Sequence, residues 1–298
     1  MDTSLLVLTI GHVFSAVLQI VVGVFVLAHG PNKKENILFF FLTFWVAFFN
    51  TYFAVASNLP PSEFSYNLWL LNIFNVFITI SYVHFMLAAV KRDYAYRWFI
   101  RFTYVTAFIL LVSTALFPKL FLPEVTPKLY LESYLNAGPL YHVMLLFFLV
   151  FPLVSFIELV KAYLRGGLDR IRSEYYIATS IVGYGLGTFS FYLVYDIPVD
   201  PFLGMFVGLY VLPIAYGIVS KELLDIRLAV KQAFIYALGI ALITGALMAL
   251  LLLNDYLVDR FPFIEVWTIP LVAAVGAMML GRAFWAKSQE SEHLKFEF

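Results

Sequence analysis

No cysteine occurs among the 298 residues, which excludes a disulfide framework, thiolate zinc or iron–sulfur ligation, and thiol redox chemistry. Charge is also scarce. Asp, Glu, Lys and Arg make up 13% of the chain, and 19 basic residues balance 19 acidic ones. A soluble domain carries about 25% charged residues, and a chain without net charge has nothing in its balance to recruit nucleic acid or an acidic partner. The opening Met1-Asp2-Thr3-Ser4 lacks the basic region of a cleavable leader, so the first apolar run is expected to remain as a helix. No internal repeat, Gly-rich phosphate loop, Ser-His-Asp arrangement or two-metal carboxylate cluster is recognisable. No catalytic residue and no metal ligand are therefore assigned.

What the chain does have is apolar surface: 62% of its residues are hydrophobic and its mean hydropathy is +0.89. Runs of about 20 apolar residues, enough to cross a bilayer, fall near 5–28, 37–56, 68–90, 99–116, 141–163, 175–195, 202–219, 234–253 and 266–284. They predict an all-α polytopic transmembrane bundle of about nine spans. The loops supply an orientation. With the N-terminus outside and the C-terminus inside, the basic clusters Lys33/Lys34, Lys91/Arg92/Arg97, Lys161/Arg165, Arg170/Arg172 and Lys221/Arg227/Lys231 all face the cytoplasm, as do Arg101, Arg282, Lys287 and Lys295. Only Lys119, Lys128 and Arg260 remain outside. External connections are short apart from 117–140, which contains Tyr130 and Tyr134. A signal must then be read mainly by the membrane helices.

Ionisable and amide side chains within hydrocarbon are candidates for function because they are costly there. His12, Asn50, Asn72 and Asn75, with Gln19, Tyr184, Thr188 and Tyr192, form the candidate ligand-binding set. They could line a pocket for a small amphipathic molecule or serve as interhelical hydrogen bonds. A bis-histidine haem is disfavoured, because His12 and His84 differ in depth by about 14 Å at 1.5 Å per residue. No lysine lies in the middle of a span, which removes the Schiff-base attachment of a retinal protein. Glu158 and Lys161 are spaced for an ion pair on one helical face. Gly183/Gly187 and Gly204/Gly208 permit close helix approach, and Pro213 can kink the seventh span.

Two segments carry a resemblance. Ala215-Tyr216-Gly217-Ile218-Val219-Ser220-Lys221-Glu222-Leu223-Leu224-Asp225-Ile226-Arg227 resembles the segment that closes the seven-span region of bacterial membrane sensor histidine kinases. The tail 286–298, with Leu294-Lys295-Phe296-Glu297-Phe298, looks like the lead-in to the dimerisation helix of those kinases, just ahead of the phospho-accepting histidine. The resemblance implies a seven-span sensor bundle (1–220), a cytoplasmic amphipathic connector (221–233), two further transmembrane helices (234–285) and the start of a signalling helix (286–298), in a chain cut short before its kinase core. Pro213, Tyr216, Leu223, Asp225, Arg227, Leu294 and Phe298 would then transmit the signal. His293 precedes the Glu-Phe element and is not the acceptor. By the same resemblance the parent protein is an ATP-dependent protein histidine kinase, active as a homodimer in the plasma (inner) membrane and passing phosphate to a response regulator. ATP and Mg would bind only the kinase core, with no cofactor in this chain. The competing expectations are a small-molecule transporter or channel, disfavoured by the scarcity of intramembrane charge and the lack of repeats, and a ligand-free anchor.

Overall fold

The computed structural model describes residues 3–166 and 168–219, nearly all of them within one compact unit, 8–222. The expected spans at 234–253 and 266–284, the connector residues Leu223, Asp225 and Arg227, and Leu294 and Phe298 of the tail lie outside the described residues. Helices α1 (Thr3–Ala28), α2 (Lys34–Ala56), α5 (Arg97–Leu116) and α7 (Pro139–Arg165) are each continuous. The third run is composite, with α3 (Glu63–Leu70), a 3-10 turn (Leu71–Phe74) and α4 (Asn75–Ala89) in direct succession. The sixth joins α8 (Leu168–Gly187) to α9 (Phe189–Val194), and the seventh joins a 3-10 helix (Pro201–Tyr210) to α10 (Val211–Val219). Six of these stretches are long and apolar enough to cross a membrane: Thr3–Ala28, Lys34–Ala56, Glu63–Ala89, Arg97–Leu116, Pro139–Arg165 and Ser173–Val194.

Local chemistry sets the boundaries. Ser62 and Ser65 cap α3 reciprocally, each hydroxyl accepting from the other's backbone N–H at 3.1 and 2.8 Å. At the end of α7, Gly166 has φ 79, a conformation open to a residue without Cβ. Pro152 sits inside α7 and has no N–H to donate to Phe148.

The packing is inside-out relative to a soluble bundle. Along α1, His12, Ser15 and Gln19 are 1%, 1% and 0% exposed, whereas Val13, Val17, Val21 and Val24 are each about half exposed. The outer faces of α5 and α7 show the same pattern, with Phe102, Val105, Phe108 and Leu146, Val150, Leu153 exposed. Continuous apolar stripes on several neighbouring helices suit hydrocarbon rather than water as the solvent.

One short element departs from the all-helical expectation. Between α6 (Pro118–Phe121) and α7, strands β1 (Val125–Lys128) and β2 (Leu131–Leu135) form an antiparallel hairpin. Val125 pairs with Leu135, Thr126 with Tyr134 and Lys128 with Leu131, with a register shift at Pro127, which has no ladder N–H to offer. The hairpin is fastened to the bundle by side chains that span-length arithmetic cannot see. Ser133 Oγ accepts from Trp69 Nε1 at 3.0 Å and donates to the Ala56 carbonyl at 3.0 Å, and Tyr134 donates its hydroxyl to the Ser190 carbonyl at 2.6 Å. Tyr130 donates to Asp200 at 2.6 Å.

Candidate functional site

The 3-10 turn in the third run has a direct consequence for the amide side chains. Residues three apart eclipse in a 3-10 helix, and Asn72 and Asn75 accordingly meet, Nδ2 of Asn75 donating to Oδ1 of Asn72 at 3.2 Å. Tyr52 on α2 closes a ring. Its hydroxyl accepts from Asn72 Nδ2 at 3.0 Å and donates to Asn75 Oδ1 at 3.4 Å. Three buried polar groups thus satisfy one another, each bond polarising the next.

His12 makes a separate contact. Its Nδ1 lies 2.7 Å from Asn50 Oδ1, and its ring stacks on Phe53 with centroids 4.2 Å apart. With the amide oxygen accepting, the imidazole proton sits on Nδ1, and the buried Nε2 has no partner. Asn50 also donates to the Val46 carbonyl at 2.8 Å. Further along α1, Gln19 donates to the Gly208 carbonyl at 3.4 Å. That approach needs a glycine, since a Cβ at Gly208 would collide with Ser15.

A partly open cavity of about 60 Å³ lies among α2, α4, α7, α8, α9 and the seventh run. Its apolar wall includes Val46, Phe49, Ile78, Phe148 and Val207. Gly183 and Gly187 of α8 lie on the same wall, where a Cβ at Gly183 would come within 3.2 Å of the Tyr210 ring. The lining includes no Asp, Glu, Lys, Arg or His. Most of its polar groups are already engaged: Tyr82 donates to Ser180 Oγ at 2.7 Å, Ser180 donates to the Tyr176 carbonyl at 2.5 Å, Thr179 to the Tyr175 carbonyl at 2.7 Å and Ser190 to the Gly187 carbonyl at 2.8 Å. The hydroxyls of Tyr184 and Tyr210 differ. Both are buried in the lining and neither has a hydrogen-bond partner.

Of the eight candidate ligand-binding residues, Asn75 and Tyr184 line this cavity. His12, Gln19, Asn50 and Asn72 are buried beside it in helix-to-helix bonds, Thr188 donates to the Gly185 carbonyl at 2.8 Å, and Tyr192 is 44% exposed. Sequence reading passed over Tyr82, Phe148 and Tyr210. Two of these carried a signal, because Tyr82 and Tyr210 sit well inside apolar runs instead of at the ends where tyrosines anchor to headgroups. Pro152 marked a third by removing the bond partner of the Phe148 carbonyl. Pro213 lies in α10, three residues past the 3-10 helix, where it cannot donate to Leu209.

Charged groups gather away from the cavity. The Glu158 carboxylate, 1% exposed, accepts from Lys161 at 2.7 Å, Tyr96 at 2.9 Å and Arg92 at 3.2 Å. His84 contacts Tyr104 at 3.0 Å. Among the described residues no three His, Asp or Glu side chains converge to hold a metal ion.

Among the described residues, six membrane-length apolar helices with lipid-suited outer faces and an apolar cavity define a helical membrane protein. No protein-family model matches the chain, and no curated protein or solved structure shows significant similarity to it.

Proposed function

We propose that the chain is the membrane sensor region of a histidine kinase, which reads a small apolar or amphipathic molecule in the cavity and passes the change through the seventh run toward the connector at 221–233. The observation that carries this reading is the make-up of one cavity wall. Val207, Tyr210 and Ile214 all line it, and they belong to the segment that leads directly into the stretch 215–227 that resembles the kinase family. A ligand that packs differently against two settings of this segment shifts their populations, and only such a difference can do so. Moving a 1:99 equilibrium to 99:1 takes about a 10⁴-fold difference in affinity.

In this reading the seventh run is also a span. Ten 3-10 residues at about 2.0 Å and nine α-helical ones at about 1.5 Å reach roughly 33 Å, against about 30 Å of hydrocarbon. With two more spans the chain crosses about nine times, the hairpin facing outside and the Glu158 cluster facing the cytoplasm, as the basic loops favour. The partners are then a second copy of the chain and a response regulator, in the plasma membrane.

Because the chain has no cysteine, a single introduced thiol reports on one place. With Asp225→Cys in native membrane vesicles, filling the cavity by Gly187→Leu is expected to change the alkylation rate severalfold. An unchanged rate would remove the sensor reading. Solute uptake into liposomes that depends on Asn75 would replace it with a transporter.

A further inference from the structure

We infer that the cavity takes a neutral, mainly apolar molecule with a single hydrogen-bond acceptor such as a ketone or ester carbonyl, held by the hydroxyls of Tyr184 and Tyr210. This rests on the cavity being the ligand site of the proposed sensor. The ligand class follows from what the wall offers and what it has already used. No Asp, Glu, Lys, Arg or His lines the cavity, so a carboxylate or ammonium ligand would lose its hydration with no opposite charge to replace it. A neutral molecule pays no such penalty.

The polar atoms narrow the choice further. Tyr82, Thr179, Ser180 and Ser190 donate their hydroxyl protons within the protein, and Asn75 is held in the ring with Tyr52 and Asn72. The lining side-chain oxygens left with no partner at all are the hydroxyls of Tyr184 and Tyr210, both buried. Tyr210 is 7% exposed as a whole residue. An unpartnered hydroxyl against an apolar wall is satisfied by an acceptor oxygen, and the two lone pairs of a carbonyl let it accept from more than one donor. Tyr210 also lies on the segment leading to the connector, so a ligand bonded to it would bias that segment directly.

The test uses the full chain in phosphatidylcholine nanodiscs with Val207→Cys as its single thiol, and four ten-carbon probes: decan-2-one, decane, decanoate and decylammonium. Protection of the thiol from N-ethylmaleimide is compared at equal mole fraction in the lipid, with the unfolding midpoint followed in parallel. Decan-2-one is expected to protect at a lower mole fraction than decane, by about two- to tenfold for each hydroxyl engaged. Tyr184→Phe and Tyr210→Phe should each remove their share of that advantage while leaving protection by decane unchanged. The inference is overturned if decanoate or decylammonium protects best, or if the ketone's advantage is undiminished in both Phe variants. Equal protection by decane and decan-2-one would also overturn it, the result expected if ordered waters already satisfy the two hydroxyls, but would leave the cavity as a ligand site. If no probe protects the thiol or raises the midpoint, the cavity is not a ligand site and the sensor reading falls with it.

Discussion

Lys128 reads in the sequence as an ordinary loop lysine, yet its side chain is buried, and its ammonium donates to the Leu193 and Val194 carbonyls at 2.9 and 3.3 Å and pairs with Asp196 at 2.8 Å. A buried cation is tolerated when it is satisfied on several sides, and here two acceptors are the terminal carbonyls of α9, where helix polarity favours positive charge. Glu158 shows how far local spacing reaches. Its pair with Lys161 follows from i,i+3 geometry, whereas Arg92 and Tyr96 come to it only through the fold. The Tyr96 hydroxyl, bonded to that carboxylate and partly desolvated, is held above its ordinary pKa. Asp93 offers a pH test. Burial would raise its pKa, but the bond and charge of Lys34 at 2.5 Å outweigh burial and hold it below the usual 3.8. A carboxyl depressed in the folded state stabilises the fold above its unfolded pKa, and that contribution disappears as pH falls through the lowered folded value. Lys34 is 55% exposed, so the contribution is at most about 0.5 kcal/mol. Comparing unfolding midpoints at about pH 6 and pH 3, Asp93→Asn should show a slightly smaller loss than the parent chain.

At the scale of elements, the helical runs were legible because about 20 consecutive apolar residues need no tertiary information to be recognised. Their interruptions were not. The 3-10 turn Leu71–Phe74 and the ten-residue 3-10 helix Pro201–Tyr210 lie inside runs that look uniformly apolar. Ten residues is long for that helix type, and this one packs closely on α1. Gly208 approaches α1 so closely that a Cβ there would meet the Ser15 side chain, with the Ser15 backbone 2.9 Å away, whereas nothing lies within 4 Å of one at Gly185. Gly208→Ala should therefore destabilise the chain by about 1–3 kcal/mol. Gly185→Ala should be neutral or stabilise by up to about 1 kcal/mol through helix propensity. Thermal unfolding in detergent of the two single variants checks both, and equal effects would contradict the described packing. The hairpin at 125–135 was likewise invisible from span lengths, since its strands are held by Trp69, Ala56 and Ser190 rather than by an apolar run of their own.

For the whole molecule, the proposed orientation is tested with the same cysteine-free background. Pro61→Cys, in the loop after α2, should react with a membrane-impermeant maleimide on intact cells, and Arg165→Cys, at the exposed end of α7, only once the cells are opened. Both reacting from the same side would contradict the alternating order of spans, and with it the route from cavity to cytoplasm.

The amino-acid sequence by itself determined that the chain is helical and built for hydrocarbon, where most of its first seven runs begin and end, and which few polar residues they carry. Solvent selection by lipid acts on each run separately, so that information is local. The cavity, its two unpaired tyrosine hydroxyls and the division of the polar residues between wall and helix-to-helix bonds were decided only by tertiary structure. They depend on side chains between Leu42 and Ile214 meeting across several segments, and no single run specifies such a meeting.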